Sequence, residues 1–242
     1  VQALAAAGVV WGGELAVSVV PVPFLGSLPL GWLAAPVTIL FLMWVSNLYN
    51  FMDGMDGFAG GMTVLGYGVL GILAWRGNHY LMGLAILIGT AAGGFLLYNL
   101  PPARIFMGDV GSVPLGFIAA ALAVMGARDG LFDIWVPLLI FSPFIMDATV
   151  TLVRRLLRGE KVWRAHREHY YQRLVLAGWG HRRTVLVEYA LMLACGLTAI
   201  VYGQVGEPVR LTILLGWIGI YMGLAWGVRW VEGRARAVGA AG

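Results

Sequence analysis

Residues 36–57 read PVTILFLMWVSNLYNFMDGMDG, an apolar run that ends in a short polar cluster. With the apolar residues just before it, the run is long enough to cross a bilayer whose hydrocarbon core is about 30 Å thick. Backbone polar groups cannot face lipid unpaired, so a crossing segment of this kind is predicted to be a helix. The cluster at its end, which begins at Asn47, would then lie at one membrane surface.

The rest of the chain repeats this apolar pattern. Of its 242 residues, 60% are hydrophobic and 12% are charged, whereas soluble domains carry about 25% charged residues. We count eight apolar stretches that reach or nearly reach the length of a membrane span: 3–20, 33–49, 59–75, 80–98, 113–127, 134–153, 185–202 and 210–230. The sequence therefore predicts an all-α polytopic membrane protein with about eight transmembrane helices, forming a single membrane domain over residues 1–242.

Basic residues collect on one side of this predicted membrane domain. If the N-terminus is cytoplasmic, the inside loops hold Arg104, nine basic residues in 154–183 and three in 229–236, out of 16 in the chain. The positive-inside rule favours that orientation. It places three polar segments together at the cytoplasmic surface, and these are 47–58, 99–112 and 154–184. The net charge of +4 is small, and no nucleic-acid partner is expected.

The first polar segment concentrates oxygen-bearing side chains, namely those of Asn47, Asn50, Asp53 and Asp56. Gly54 and Gly57 between and after them allow a tight turn and a close approach to a ligand. Carboxylate and amide oxygens suit magnesium and sugar hydroxyls. The alternative is a solvated Asp-Gly turn.

The second segment, NLPPARIFMGDVGS at 99–112, places Asp109 between small residues just before a predicted helix. A carboxylate there can reach a metal, and backbone amides at a helix N-terminus can meet phosphate. Phe106 taken alone is more typical of interfacial packing than of a base-stacking ring. An ordinary interhelical loop explains this segment equally well.

The third segment, RAHREHYYQRL at 164–174, mixes histidine with arginine. Guanidinium groups donate paired hydrogen bonds to phosphate, so the segment could clamp a diphosphate. The spacing of His166 and His169 also fits a zinc pair, but the glutamate and third ligand of a hydrolytic zinc site are missing. The alternative is that these basic residues only set the orientation in the membrane, as basic loops do in most inner-membrane proteins. Asp147, in the sixth apolar stretch, is either functional or paired with a neighbouring helix, and we leave it out of the catalytic set.

In this order, the three segments resemble the polyprenyl-phosphate N-acetylhexosamine-1-phosphate transferases of glycosyltransferase family 4. The motifs N-x-x-D-G-x-D-G at 50–57 and N-x-x-P-A-x-x-F-M-G-D-x-G-S at 99–112 carry the resemblance. It implies a magnesium-dependent enzyme of the bacterial inner membrane with cytoplasmic catalytic loops. Such an enzyme transfers N-acetylhexosamine 1-phosphate from a UDP-sugar to undecaprenyl phosphate and releases UMP.

The resemblance also implies roles for individual residues. Asp109 would be a magnesium ligand, with Asn50 and Asp53 in the catalytic pocket near the metal and the diphosphate. His169 would match the first histidine of the family's His-rich loop and contact the diphosphate. These four residues form the expected catalytic set.

A second set is expected to bind the nucleotide sugar. The resemblance implies that Asn99, Asp56 and Phe106 hold the uridine, with Phe106 against the uracil ring. The remaining members of the set are Asn47, His166, Arg167 and Arg173. The family's tendency to pair makes a homodimer reasonable.

Two departures from the family pattern matter. The family's upstream Asp-Asp pair, implicated in binding magnesium and activating the lipid phosphate, does not occur in this sequence. The chain starts at Val1 almost inside an apolar stretch, so we expect a piece of a longer protein that is inactive by itself. The His-rich loop keeps one histidine in His169-Tyr-Tyr-Gln172, which resembles the O-antigen or capsule branch more than the peptidoglycan enzyme.

Three alternatives stay open from sequence. One is phospho-N-acetylmuramoyl-pentapeptide transferase, which is the peptidoglycan member of the family. Another is a transporter or flippase, although it would place polar residues near the membrane midplane rather than at one face. The third is an inactive scaffold derived from the family. The identity of the sugar is not readable.

Overall fold

The computed structural model describes residues 1–161 and 166–239 and is mainly helical. The α-helices, in chain order, are α1 (Gln2–Ala7), α2 (Ala34–Met52), α3 (Phe58–Ala74), α4 (His79–Asn99), α5 (Gly108–Arg128), α6 (Trp135–Ile140), α7 (Ser142–Leu157), α8 (Tyr170–Leu174), α9 (Gly180–Tyr202) and α10 (Glu207–Gly239). Short π-helical turns follow α1 at Gly8–Gly12 and α8 at Val175–Trp179, and a 3₁₀ turn at Gly31–Leu33 leads into α2.

Within the described ranges, five helical segments are long and apolar enough to cross a membrane. They are Gly31–Met52, His79–Asn99, Gly108–Arg128, Tyr170–Tyr202 and Glu207–Ala237. Two shorter apolar helices cover Gln2–Gly12 and Phe58–Ala74. Large apolar side chains stand exposed on these helices, among them Leu87 and Trp226, as expected where lipid covers the surface. The chain is therefore a polytopic membrane protein.

The predicted span at 3–20 is wrong. Helical structure ends at Gly12, and residues beyond it form an antiparallel hairpin of β1 (Val19–Val22) and β2 (Gly26–Pro29) in the register Val19 to Pro29. Adjacent glycines at 12 and 13 weaken a helix, while the β-branched valines of β1 favour an extended chain. The segment 21–32, between the first two predicted spans, contains part of this hairpin, so the fold is not all-α.

The predicted span at 134–153 is broken into α6 and α7 at Phe141, whose φ and ψ are −92° and 8°. Pro143 has no N–H to donate to the carbonyl four residues before it. The Ser142 hydroxyl donates to that Leu139 carbonyl instead, at 2.7 Å. The break lies at the start of α7, the helix that carries Asp147.

Helices α2 and α5 pack closely in antiparallel directions, and this pairing positions the site. A Cβ on Gly116 of α5 would lie 2.6 Å from Cβ of Tyr49 and 2.7 Å from the Val45 carbonyl oxygen, so only glycine fits there. The Ser46 hydroxyl donates to the Val113 carbonyl at 2.8 Å across the same interface. The C-terminal end of α2 is thereby brought against the N-terminal end of α5.

Candidate active site

Asn50 and Asp109 meet where α2 ends and α5 begins. Nδ2 of Asn50 donates to Oδ1 of Asp109 at 2.7 Å and also lies 3.1 Å from Oγ of Ser112. The Ser112 hydroxyl in turn donates to the Gly108 carbonyl at 3.1 Å. Side chains 59 positions apart in sequence therefore form one hydrogen-bonded group at the polar end of two spans.

Asp53 lies beside this group as the residue that ends α2. Burial raises the pKa of Asp53 to about 6, and the charge of Asp109 adds to the rise, while a hydrogen bond from the Gly108 amide opposes it. Gly108 has φ of 63°, a left-handed conformation that favours glycine. The two carboxylates thus share one corner, where they repel each other when both are ionised.

The oxygen atoms at this corner fit a magnesium ion that is bound by few protein ligands. Mg²⁺ prefers oxygen ligands and is commonly held by one or two carboxylates together with water and phosphate oxygens. No group of three or more His, Cys, Asp or Glu arranged for a metal occurs within residues 1–161 and 166–239. Asp53 and Asp109 therefore suit an ion completed by substrate and water rather than one caged by protein.

Asn99 joins the two glycine-containing loops of the site. The Gly57 amide donates to Oδ1 of Asn99 at 3.0 Å, and Nδ2 of Asn99 donates to the Ile105 carbonyl at 2.8 Å. The side chain is buried, with 4% of its surface exposed. Asn99 therefore shapes the pocket by holding its walls, and it presents little polar surface to a ligand.

Asp56 makes a second connection between the same loops. The Ala103 amide donates to Oδ2 of Asp56 at 3.1 Å, and Nδ1 of His181 lies 3.3 Å from its Oδ1. Sequence reasoning missed His181, although a histidine at the start of a span within the basic segment was the available signal. Phe106, on the loop held by these contacts, is 76% exposed and free to stack on a ligand ring.

His169 reaches the site from the third segment. Its ring is buried, stacks on Phe51 with centroids 6.3 Å apart, and has Nδ1 3.1 Å from Oδ1 of Asp147. The same carboxylate accepts the backbone N–H groups of Tyr170 at 2.9 Å and Tyr171 at 3.1 Å. Asp147, left out of the catalytic set on sequence, thus holds both His169 and the start of α8.

Two further contacts dock the third segment on the first. The Tyr171 hydroxyl donates to the Phe51 carbonyl at 3.3 Å and occupies the space where a Cβ on Gly54 would lie, 2.2 Å away. The His166 ring lies 4.8 Å from that of His169. Burial, followed by the charges of His169 and Arg155, lowers the pKa of His166 below its ordinary value.

All three predicted segments therefore converge. The first two also lie in the part of the chain that matches a known protein family. Residues 1–127 match the family described as Glycosyl transferase family 4. The chain belongs to glycosyl transferase family 4. The match covers the first two polar segments of this family member, including the corner formed by Asn50, Asp53 and Asp109.

Curated relatives extend the similarity beyond residue 127. The chain is 36% identical over 184 residues to a probable undecaprenyl-phosphate N-acetylglucosaminyl 1-phosphate transferase of Bacillus subtilis (strain 168), covering 74% of this chain and 51% of the relative. It is 30% identical over 179 residues to the phospho-N-acetylmuramoyl-pentapeptide-transferase of Halalkalibacterium halodurans, covering 72% and 53%. The transferase of that name from Synechococcus sp. (strain JA-3-3Ab) is 34% identical over 209 residues, covering 81% and 57%. The chain spans about half the length of the curated relatives that it matches.

Three predicted site residues of this family 4 protein lie apart from the corner. Nδ2 of Asn47 donates to the Met43 carbonyl at 2.7 Å and to Gln2 at 3.3 Å, which ties α2 to α1. Nε and Nη2 of Arg173 each donate to a carboxylate oxygen of Glu232 on α10, both at 2.7 Å. Arg167 is exposed on the segment before His169. Arg164, also named in the third motif, lies outside the described residues.

Proposed function

We propose that this protein transfers N-acetylhexosamine 1-phosphate from a UDP-sugar to undecaprenyl phosphate and releases UMP. The reaction would take place at the cytoplasmic face of a bacterial inner membrane, at the three segments 47–58, 99–112 and 154–184. The observation that carries the proposal is the corner in which Asn50 donates to Asp109 beside the half-buried Asp53. Two carboxylates held together at a membrane surface suit a metal-bound diphosphate better than a purely structural role.

The reaction brings two anions together, so the protein's main tasks are alignment and charge neutralisation. An oxygen of the lipid phosphate forms a bond to the β-phosphorus of the UDP-sugar, and the bond from that phosphorus to the bridging oxygen breaks as UMP leaves. Asp109 and Asp53 would hold magnesium, which when bound supplies positive charge to the diphosphate. Direct attack and a double displacement through an aspartyl-phosphate are both compatible with this set of residues.

The other residues of the site would orient the donor. Asn50 fixes the rotamer of Asp109 through its 2.7 Å hydrogen bond. His169, held by Asp147, and the nearby His166 would donate to the diphosphate. Phe106, exposed on the loop fastened by Asn99 and Asp56, would stack on the uracil ring. Asn47 and Arg173 act through packing in this proposal, since their polar atoms bind other parts of the protein.

The names of the relatives support two donors. The Bacillus subtilis relative is described as an N-acetylglucosaminyl 1-phosphate transferase, and this favours a UDP-N-acetylhexosamine. Phospho-N-acetylmuramoyl-pentapeptide transferases are similar over a comparable length, so the UDP-linked muramoyl pentapeptide is the second candidate. The single histidine in the stretch at 169–172 favours the first donor.

Release of UMP tests the proposal. Full-length protein in detergent, with Mg²⁺ and undecaprenyl phosphate, is expected to release UMP from one or more members of a panel of UDP-sugars that includes both candidates. Asp109→Asn should abolish release, whereas Asp129→Asn, an acidic loop residue paired with Asn78 and Arg128 instead, should not. Folded protein that releases no UMP with any donor would exclude the transferase.

A further inference from the structure

A basic pocket of about 560 Å³ lies between the cytoplasmic ends of α7, α8 and α10. Its charged lining consists of Arg154, Arg167, Arg173 and Arg236 with Glu168 and Glu232. These residues come from three separate parts of the chain. At this pocket the bidentate contact between Arg173 and Glu232 connects α8 to α10.

The ion pairs around this pocket leave it positively charged. Glu232 accepts from Arg173, and Glu168 pairs with Arg158, which does not line the pocket. Across the described ranges, no carboxylate lies within ion-pair distance of Arg154, Arg167 or Arg236. Nη1 of Arg173 is buried and has no hydrogen-bond partner there. A buried donor of this kind is costly unless it meets an acceptor, so an anionic oxygen would stabilise the pocket.

A mainly apolar cavity of about 470 Å³ lies between α7, α9 and α10, and its lining also includes the carboxylates of Asp147 and Glu188. The two cavities use successive residues of the same helices. On α10, Trp230 and Val231 line the apolar cavity, and Glu232 and Arg236 line the basic pocket. A ligand that fills both must therefore carry a negative head on an apolar chain.

We propose that these neighbouring cavities together bind an anionic glycerophospholipid of the surrounding leaflet. Its phosphodiester would lie among the arginines and one acyl chain would lie against Trp230 and the apolar residues above it. Basic pockets between membrane helices on the cytoplasmic side recognise such head groups. A soluble nucleotide would leave the apolar cavity unused.

Lipid at this place would connect α10 to the catalytic segment. The arginines that it contacts include Arg167, two residues before His169, and Arg173, one turn after it. Bound lipid would hold α8 in the position where Asp147 and His169 meet. This regulatory consequence rests on the proposed transferase activity, but the binding itself does not.

Lipid binding is measured directly, without turnover. Full-length protein in neutral detergent is titrated with phosphatidylglycerol or phosphatidylcholine, and retained lipid is counted by native mass spectrometry while the thermal unfolding midpoint is followed. Phosphatidylglycerol should bind and raise the midpoint, and phosphatidylcholine should not. The variant Arg154→Gln/Arg236→Gln should bind it more weakly by about fivefold per arginine removed. Arg154→Lys/Arg236→Lys should retain binding, as should Arg182→Gln, an exposed control on the same side that lines neither cavity.

Three results would overturn the phospholipid site. One is equal phosphatidylglycerol binding by the double glutamine variant and the Arg182→Gln control. Another is a midpoint shift with inorganic phosphate or UDP as large as that with phosphatidylglycerol, which would assign the pocket to a soluble phosphate. The third is displacement of phosphatidylglycerol by an equal concentration of undecaprenyl phosphate, which would assign it to the acceptor. A protein that binds lipid but releases no UMP would refute the transferase and leave the lipid site standing.

Discussion

Nδ1 of His169 lies 3.1 Å from Oδ1 of Asp147, and both side chains are buried. A proton on Nδ1 facing the carboxylate leaves Nε2 as the nitrogen free to meet a ligand. Since Asp147 also accepts two backbone N–H groups of α8, one carboxylate sets the tautomer of the ring and the position of the helix that carries it.

Asp147→Asn tests that positioning role. Asparagine keeps one oxygen for one of the two α8 amides, which donate to different oxygens of Asp147. Its NH2 group cannot accept the other amide, and it no longer attracts the Nδ1 proton as a charged group does. We expect the protein to fold and kcat for UMP release to fall about 10- to 100-fold, the range for losing a hydrogen bond to a charged group. The pH profile of kcat should shift as well, because the tautomer of His169 is no longer fixed. Wild-type kcat with an unchanged pH profile would show that Asp147 only packs.

Gly54→Ala should push Tyr171 away from the first segment. The new Cβ would lie 2.2 Å from the Tyr171 hydroxyl, and overpacking of this kind costs about 1–3 kcal/mol. Thermal unfolding should therefore occur at lower temperature, and UMP release should fall. Gly83→Ala is the matched control, because nothing lies within 4 Å of a Cβ there. Adding Tyr171→Phe to Gly54→Ala should restore part of the loss, and equal behaviour of the two alanine variants would refute the clash.

Asn99→Asp should weaken binding of the UDP-sugar. Aspartate keeps the acceptor for the Gly57 amide but loses the donor to the Ile105 carbonyl, and it places negative charge against that oxygen. Losing a buried polar partner costs about 1–3 kcal/mol, so we expect KM for the donor to rise about 5- to 100-fold, more than kcat falls. Asn78→Ala removes the helix cap of α4 and should cost about 1 kcal/mol of stability without changing KM. A similar KM in both variants would contradict the role of Asn99 in shaping the pocket.

The lowered pKa of His166 predicts a pH dependence of donor binding. The lowered pKa disfavours the protonated ring in the free protein, whereas the negative diphosphate of a bound UDP-sugar would favour it. Binding should therefore take up a proton, and affinity should rise as the pH falls from 7.5 to 6, by at most about tenfold per pH unit. Calorimetry in buffers of different ionisation enthalpy measures the uptake. A UDP-sugar is the suitable ligand because its diphosphate does not titrate in this range.

His166→Gln supplies the control for this titration. The variant should bind the UDP-sugar with less proton uptake and with a flatter dependence on pH than the wild type. Proton uptake that persists at full size in this variant would come from another group. That outcome would remove His166 from the diphosphate site.

Much of the site could be predicted because the decisive signals are local. Asn50, Asp53 and Asp109 lie in short motifs at the polar ends of apolar stretches, and the lengths of those stretches place their ends at one membrane surface. Two span predictions failed where local backbone chemistry overrides hydropathy. The valines after Gly13 form a hairpin, and Pro143 removes the hydrogen bond that a continuous helix needs.

The sequence by itself determined a multi-pass membrane protein, and it predicted that three polar segments carry the chemistry. Only the tertiary structure decided which side chains meet within and around them. It pairs Asp147 with His169 and turns Arg173 towards Glu232, and it joins the loops through Asn99. These pairings depend on the angles and separations of the helices, which are set by the close approach at Gly116 and the break at Phe141. Such long-range geometry cannot be predicted from the residue spacing within any one segment.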